Sequence, residues 1–194
     1  MTIAILGTGN MGSGLASRLG GKAVLGSRNP KDGQLSYADA VAKADIVVLA
    51  LPYDAALEAA ATLNLAGKVV VDMTNPVKED FSGLRLGTTT SAAEEIQKAA
   101  PEAKVVKAFN TIFAGVFAAP RSETAKVPVF VAGNDEAAVQ QVADLAVEAG
   151  FGAETAGGLD AARFIEPVGM LNIRFGYGLG KGTSIAPAWV KVAA

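Results

Sequence analysis

Three glycines near the start of the chain have the spacing of a phosphate-binding turn. Gly7, Gly9 and Gly12 follow an apolar run at residues 3–6 and precede a helical pattern. The first glycine permits a tight bend, the second lets a pyrophosphate approach the backbone, and the third lets the helix pack closely. A glycine-rich turn without a ligand is the alternative. We predict a dinucleotide site whose pyrophosphate lies over Gly7, Thr8, Gly9, Asn10, Met11 and Gly12, at the free N–H groups of the helix.

A second apolar run is followed at residues 26–31 by Gly-Ser-Arg-Asn-Pro-Lys. NAD sites commonly place an acid here to bind the ribose 2′-hydroxyl, but no acid occurs before Asp32. Arg28 can instead make a bidentate contact to a phosphate, and Ser27 can donate a hydrogen bond to it. The alternative is that Arg28 is an ordinary solvated arginine. We predict NADP(H), with its 2′-phosphate near Ser27, Arg28, Asn29 and Lys31.

Three later segments are candidates for the nicotinamide end of the site, at residues 50–53, 73–76 and 108–112. In a doubly wound sheet, ligands bind beyond the carboxyl ends of the strands, where the strand order reverses. Asn75 and Asn110 can orient a carboxamide or a ring edge, unless each caps the next turn or helix. The residues predicted for this end of the site are Leu51, Pro52, Tyr53, Asn75, Pro76, Ala108, Phe109 and Asn110.

The composition restricts the chemistry of such a site. The 194 residues include no cysteine and no histidine, which excludes disulfides, thiolate nucleophiles, Ser-His-Asp triads and Cys or His metal sites. Proton transfer would require Asp, Glu, Lys, Tyr or water. We therefore predict no metal and no catalytic side chain, because a reaction that needs no acid or base from the protein fits this composition best.

Two further patterns receive a structural interpretation. Tyr177 and Lys181 have the Tyr-x-x-x-Lys spacing of short-chain dehydrogenases, but two of the three residues between them are glycine. Each glycine disfavours the helix that this pair requires by about 1 kcal/mol, so we interpret the spacing as coincidence. Asp160 and Glu166 have no visible partner, and we expect both carboxylates to be exposed.

The elements that position these residues follow from periodicity. Continuous apolar runs, typical of parallel strands covered on both faces, alternate with Ala-rich helical patterns. Ser91 and Glu94 form a capping box that starts one helix, and Asn134 is predicted to cap another that ends at Gly150. We predict an α/β fold with a Rossmann-type doubly wound, mostly parallel sheet. Its strands are predicted near residues 3–6, 23–25, 45–51, 68–73, 105–109, 127–132 and 152–155.

The last part of the chain has a different pattern, which is helical over residues 159–177 and then rich in glycine. We predict an NADP-binding Rossmann domain at residues 1–158. Residues 159–194 are predicted to form a C-terminal helical extension and an irregular arm, packed on the same domain or on a second subunit. The apolar tail favours a homodimer in which it closes the partner's cleft.

Charge and hydropathy restrict the partners. The net charge of -2 builds no strong field for nucleic acid or an anionic membrane. No signal-peptide pattern precedes the first strand, and the longest strongly apolar run, residues 46–51, is too short to span a bilayer. We expect a cytoplasmic protein whose partner is a small-molecule redox cofactor, without nucleic acid or membrane.

Four segments together carry a resemblance to a known family. They are Gly-Thr-Gly-Asn-Met-Gly at 7–12, Gly-Ser-Arg-Asn-Pro at 26–30, Val-Val-Lys-Ala-Phe-Asn-Thr-Ile at 105–112 and Val-Phe-Val-Ala-Gly-Asn-Asp at 129–135. In this order they resemble the NADPH-dependent coenzyme F420 reductases (F420H2:NADP oxidoreductases). They are also similar to the oxidoreductase domain of STEAP-type metalloreductases, whose form of the first turn this chain shares.

The resemblance, which covers residues 2–175, implies direct hydride exchange between nicotinamide C4 and a deazaflavin or flavin ring, from coenzyme F420, FMN or FAD. The protein then need only hold two cofactors in contact, which agrees with the absence of histidine and cysteine. Two alternatives remain. One is a non-catalytic NADP(H)-binding module that senses redox state. The other is a reductase of a small carbonyl or imine, with Tyr53, Tyr177 or Lys181 as its acid.

Overall fold

Eight strands form one sheet in the computed structural model, which describes residues 1–190 and 192–193. The sheet order is β3-β2-β1-β4-β5-β6-β7-β8, and every neighbouring pair is parallel except β6 and β7. The first six strands thus have the 3-2-1-4-5-6 order of dinucleotide-binding folds, which reverses between β1 and β4. The predicted Rossmann-type sheet is confirmed. The strands are β1 (Ile3–Leu6), β2 (Ala23–Ser27), β3 (Leu35–Ser36), β4 (Ile46–Leu49), β5 (Val69–Asp72), β6 (Lys104–Lys107), β7 (Pro128–Gly133) and β8 (Gly152–Gly157).

Helices cover both faces of this sheet, which explains the continuous apolar composition of its central strands. In β4, Ile46 and Val48 face one core cluster, whereas Val47 and Leu49 face the other. The helices are α1 (Asn10–Leu19), α2 (Tyr37–Lys43), α3 (Tyr53–Thr62), α4 (Ala92–Ala99), α5 (Arg121–Thr124), α6 (Glu136–Glu148) and α7 (Ala162–Ile173). Short 3-10 helices lie at Gly20–Lys22, Ala114–Ala118 and Leu159–Ala161, and a π-helical turn, Arg174–Gly178, extends α7.

The N-cap residue observed in the structure is the predicted one at α4 but a different one at α6. The Ser91 hydroxyl accepts a hydrogen bond from the Glu94 N–H at 3.2 Å, as predicted. The predicted cap at Asn134 is wrong, because Asp135 is the cap and accepts from the Ala138 N–H at 2.8 Å. Asn134 Oδ1 instead accepts from the Leu159 N–H at 2.9 Å. The Asn134 side chain therefore joins the end of β7 to the C-terminal segment.

The C-terminal segment packs on its own sheet. Leu159 and Ala162 belong to the core beneath α4, and Ile165 packs beside Phe130 of β7. The Trp189 ring meets the Phe130 ring edge to face, with 5.1 Å between centroids. Residues 191 and 194 of the predicted arm lie outside the described residues. None of the described helices is long and apolar enough to cross a membrane.

Candidate nucleotide-binding site

The glycine turn joins β1 to α1, and its three glycines have different surroundings. Gly7 has φ +114°, and a Cβ there would overlap the Ala50 carbonyl oxygen. A Cβ on Gly12 would overlap the Gly7 carbonyl oxygen. In contrast, a Cβ on Gly9 would meet no atom within 4 Å. Packing therefore requires the first and third glycines, while the second faces open space.

The start of α1 offers unpaired donors to that space. Gly9 is the N-cap, no side chain caps the helix, and its first turn contains no acidic residue. Thr8, Gly9 and Asn10 are exposed. The first N–H groups of a helix lack intrahelical acceptors and carry the positive end of the helix dipole. This arrangement fits a pyrophosphate, because the anion would supply the missing acceptors.

The predicted 2′-phosphate residues lie at the tip of β2, beside the glycine turn. Ser27 ends the strand, and its hydroxyl accepts a hydrogen bond from the Asn29 N–H at 3.2 Å. Arg28, Asn29 and Lys31 are exposed. Arg28 forms no ion pair with any other described residue. Its guanidinium is thus available to an anion.

A cavity of about 400 Å³ lies beyond the carboxyl ends of the central parallel strands. Eight predicted site residues line it, namely Gly9, Asn10, Met11, Leu51, Pro52, Asn75, Phe109 and Asn110. The cavity is also lined by Ala50, Met73, Thr111 and Ile112 of the three predicted segments and by Tyr177. Five further lining residues were not predicted, namely Phe113, Ala114, Gly169, Asn172 and Ile173. Three of these belong to α7, far from the glycine turn in sequence, so no local motif indicates them.

Three of the residues predicted for the nicotinamide end do not line the cavity. Tyr53 starts α3 and is only 9% exposed, with the Arg85 guanidinium 5.4 Å from its ring centroid. Burial raises the pKa of the Tyr53 phenol. Pro76 and Ala108 are also buried. All three side chains are thus buried, and their predicted contact with nicotinamide stays a prediction.

Asn75 and Asn110 bind each other rather than capping a helix. Asn75 Nδ2 donates to the Asn110 carbonyl oxygen at 2.7 Å, and Asn110 Nδ2 donates to Asn75 Oδ1 at 2.9 Å. Asn110 Nδ2 also contacts the Ile165 carbonyl oxygen of α7 at 3.3 Å. Asn110 Oδ1 is buried without a partner among the described residues. This acceptor suits a ligand N–H group, because an unpaired buried oxygen is costly.

Phe109 bends the chain where β6 ends. It has φ +63°, a left-handed conformation that is unusual for a bulky side chain, and it is fully buried. Its ring meets the Phe151 ring edge to face, with 6.3 Å between centroids. Such strain is commonly found at functional sites. Here the bend leads directly into residues 109–114, all of which line the cavity.

A buried ionic cluster lies at the ends of β5 and β6. Glu166, expected to be exposed, is only 2% exposed, which corrects that expectation. Lys107 Nζ lies 2.9 Å from Glu166 Oε1 and 2.9 Å from Asp72 Oδ2. Burial raises the pKa of Glu166 despite the nearby ammonium. Burial opposes the charge of Lys107, but the two carboxylates outweigh it and raise the pKa of that ammonium.

The Tyr177 and Lys181 side chains do not form a dehydrogenase pair. Tyr177 lies in the π-helical turn and packs edge to face on Phe113, with 5.4 Å between ring centroids. Lys181 Nζ lies over the Phe175 ring, 4.9 Å from its centroid. The interpretation of this spacing as coincidence agrees with the structure. Tyr177 nevertheless lines the cavity.

The strand order, the glycine turn and a cavity at the point of strand reversal define a dinucleotide-binding protein of the Rossmann class. Comparison with known proteins specifies it further. Residues 2–76 match the sequence model of the family described as NADP oxidoreductase, coenzyme F420-dependent. The F420-dependent NADP reductase of Methanocaldococcus jannaschii is 32% identical in an alignment of 220 positions, which covers 95% of this chain and 97% of the relative.

Two other known proteins are similar to this chain. Rat metalloreductase STEAP3 is 31% identical over 180 residues, which cover 86% of this chain but only 36% of STEAP3. A solved structure from Arthrobacter sp. FB24, described provisionally as an F420-dependent NADP reductase, has a TM-score of 0.83 and 33% identity, covering 98% of this chain and 100% of that one. The chain belongs to the F420-dependent NADP reductases and is an oxidoreductase of this NADP-dependent family. The resemblance stated from the four segments is confirmed.

Proposed function

We propose that this protein transfers a hydride between nicotinamide C4 of NADP(H) and the deazaflavin ring of coenzyme F420. The observation that carries the proposal is the cavity at the strand ends. Among the described residues that line it, Tyr177 has the only titratable side chain. Both cofactors bring their own redox chemistry, so the protein contributes binding and alignment rather than acid–base catalysis.

The site residues have separate roles in this proposal. Residues 1–158 supply the nucleotide site, and the described part of residues 159–194 supplies part of its wall. The pyrophosphate is held by Thr8, Gly9, Asn10 and Met11, between Gly7 and Gly12. The 2′-phosphate is held by Ser27 and Arg28, with Asn29 and Lys31 nearby. The nicotinamide end is enclosed by Leu51, Pro52, Asn75, Phe109 and Asn110.

A neighbouring cavity offers room for the second ring. It has a volume of about 710 Å³, and its lining includes Phe81, Met170 and Leu179. Ile173 and Tyr177 line both this cavity and the first one. Arg174 is the one charged residue of this lining, and the other described residues are apolar, aromatic or glycine. A mostly apolar and aromatic lining beside the nicotinamide cavity favours a planar ring as hydride acceptor. FMN and FAD are alternative acceptors that the same space can take.

A stopped-flow experiment tests the acceptor directly. NADPH and protein are mixed with F420, FMN or FAD, and the loss of nicotinamide absorbance is followed. We expect rapid loss with F420 and slower loss with FMN or FAD. No loss with any acceptor would contradict the proposal, and tight NADPH binding without oxidation would favour the non-catalytic redox-sensing alternative.

A reductase of small carbonyls or imines is the second candidate, and the position of Tyr177 in the cavity favours it. This chemistry requires an acid near nicotinamide C4. The Tyr177→Phe variant discriminates between the two functions, because it removes only the hydroxyl group. We expect kcat with F420 to remain within about twofold of wild type, since no proton donor on the protein is needed. Turnover of a carbonyl or imine that is lost in Tyr177→Phe would establish the second candidate instead.

A further inference from the structure

We propose that Glu166 is a positioning residue, whose buried contact with Lys107 sets the register of α7 against the nicotinamide cavity. The inference rests on the nucleotide site proposed above, because α7 supplies one wall of the cavity assigned to nicotinamide. Glu166 itself does not line that cavity. It acts through the residues that follow it on the same helix.

Lys107 holds Glu166 of α7 against the ends of two strands. Its ammonium group is fully buried and donates to three oxygens, Glu166 Oε1 at 2.9 Å, Asp72 Oδ2 at 2.9 Å and the Thr74 carbonyl at 2.5 Å. An ammonium has three N–H donors, so these contacts use all of them. Asp72 and Thr74 lie at and just beyond the end of β5, and Lys107 ends β6. The ammonium therefore binds α7 to two strand ends at once.

Glu166 makes a second attachment on its other side. Its Oε2 atom accepts a hydrogen bond from the Ala92 N–H at 3.1 Å, and Oε1 accepts a longer one from the Ala93 N–H at 3.4 Å. These are the first N–H groups of α4, where the helix dipole favours a carboxylate. The carboxylate is therefore contacted by donors from both sides, and a neutral amide cannot replace it without directing an N–H toward one of them.

The same face of α7 then builds the cavity wall. Gly169 and Asn172 follow Glu166 by three and six residues, so all three lie on one side of the helix. A Cβ on Gly169 would lie 2.6 Å from Asn75 Oδ1 and 2.9 Å from the Asn110 carbonyl oxygen. Asn172 Nδ2 donates to the Thr111 carbonyl oxygen at 3.0 Å. The helix is thus in close contact with the residues on the opposite side of the cavity wall, Asn75, Asn110 and Thr111. A small shift of α7 would therefore displace the wall.

A charged contact suits this role better than an apolar one. Buried ion pairs add little net stability compared with well-packed apolar side chains, but breaking one leaves a buried charge uncompensated. Apolar packing tolerates small sliding movements of a helix. In contrast, the hydrogen bonds of Glu166 and Lys107 are all formed in one arrangement only. We therefore expect the Glu166–Lys107 contact to affect the geometry of the cavity more than the binding of distant parts of the nucleotide.

The test compares two ligands in the Glu166→Gln variant. NADPH spans the whole proposed site, whereas 2′,5′-ADP contains the 2′-phosphate but no nicotinamide. Both dissociation constants are measured by calorimetry on the full chain, without any hydride acceptor. We expect Glu166→Gln to weaken NADPH about tenfold and to change 2′,5′-ADP by less than about twofold.

Arg163→Gln is the matched control on the same helix. Arg163 also joins α7 to α4, because Nη2 donates to Glu94 Oε1 at 2.6 Å and Nε donates to Glu94 Oε2 at 2.9 Å, but this pair is partly exposed. Exposed ion pairs contribute little, so we expect both ligands to bind as in wild type. If Glu166→Gln does not fold, Glu166→Asp replaces it, because it keeps the buried charge but shortens the side chain by one methylene, so that α7 must shift to keep the contact with Lys107. The same selective loss of NADPH affinity is expected.

Three outcomes would overturn the inference. Wild-type affinity for both ligands in the variants would show that the contact does not position the wall. Equal weakening of NADPH and 2′,5′-ADP would show a general structural role instead. A wild-type protein that binds neither ligand would refute the proposed nucleotide site, and this result is distinct from a defect confined to the variants.

Discussion

Gly9 and Gly12 are three residues apart in one turn, yet their surroundings differ completely. Gly12 faces the Gly7 carbonyl so closely that no Cβ fits between them, whereas Gly9 faces open space. The spacing of the glycines was readable from the sequence. The difference in their surroundings is visible only in the folded turn. It distinguishes Gly12, which the fold needs, from Gly9, which is proposed to be needed for the ligand.

This difference predicts opposite effects of two alanine substitutions. Gly12→Ala should lower the free energy of unfolding by about 1–3 kcal/mol, because its Cβ overlaps backbone. Gly9→Ala should leave stability within about 0.5 kcal/mol but weaken NADPH, since its Cβ occupies the space assigned to the pyrophosphate. Urea unfolding and NADPH titration of both variants measure this. Normal NADPH binding by Gly9→Ala would contradict the assignment of the turn.

Arg28 is predicted to select the phosphorylated cofactor. It is exposed at the tip of β2 and has no ion pair among the described residues. Arg28→Ala should weaken NADPH by about 1.5–3 kcal/mol, because a charge-assisted contact to the 2′-phosphate is lost. The affinity for NADH, measured in the same variant, is the internal control and should hardly change. Equal losses for both cofactors would show that Arg28 does not bind the 2′-phosphate.

At the scale of elements, α4 and α7 are joined by a network that starts with a helix cap. Ser91 caps α4, and the Glu94 carboxylate receives hydrogen bonds from Ser91 Oγ at 2.8 Å and from Arg163 Nη2 at 2.6 Å. The Ser91–Glu94 capping box was evident from the sequence. Its extension to Arg163 was not, because the two segments are 69 residues apart.

This network predicts a pH-dependent contribution to stability. The hydrogen bond from Arg163 is the main cause that lowers the pKa of Glu94 in the folded protein. The pair therefore stabilises the fold above the ordinary glutamate pKa of about 4.3, and this contribution is lost as pH falls through the lower folded-state pKa.

Arg163→Gln should cost no more than about 0.5–1 kcal/mol at pH 7, since the pair is partly exposed. The difference from wild type should shrink as the pH is lowered below about 4. Urea unfolding of both proteins between neutral and acidic pH measures it. A difference that stays constant over this range would show that the effect does not depend on the Glu94 charge.

At the scale of the whole molecule, the C-terminal segment leaves large apolar side chains exposed. Phe164 is 74% exposed and Trp189 is 73% exposed, and Leu171 lies on the outer side of α7. The arm itself lies against its own chain, where Thr183 and Asn10 line a cavity of about 440 Å³ beside the glycine turn. This packing agrees with the predicted arm on its own domain, while closure of a partner's cleft stays a prediction.

We still expect a homodimer, formed through the exposed face of α7. Burial of such side chains is the main favourable term in association. Light scattering of the wild-type protein should give twice the chain mass, and Phe164→Glu combined with Leu171→Glu should give the monomer mass. The control is Glu58→Gln on α3, an exposed position remote from this face in sequence. A monomeric wild type would contradict the expectation.

The sequence by itself determined the Rossmann fold, the glycine turn and the exposed tip of β2. These features depend on local properties, such as continuous apolar runs, the spacing of three glycines and residues that follow directly after a strand. The two-residue strand β3 and the short helix α2 were not identified separately, because segments of two and seven residues carry little periodic signal.

Only the tertiary structure decided which residues enclose the cavity. Glu166 reads as an ordinary charged residue in the sequence, and its partners Lys107 and Ala92 lie 59 and 74 residues away. Likewise, Gly169 and Tyr177 reach the cavity through the docking of α7, and Asn75 meets Asn110 because their strands are neighbours. Burial and pairing of a polar side chain depend on elements distant in the chain, so no local pattern encodes them.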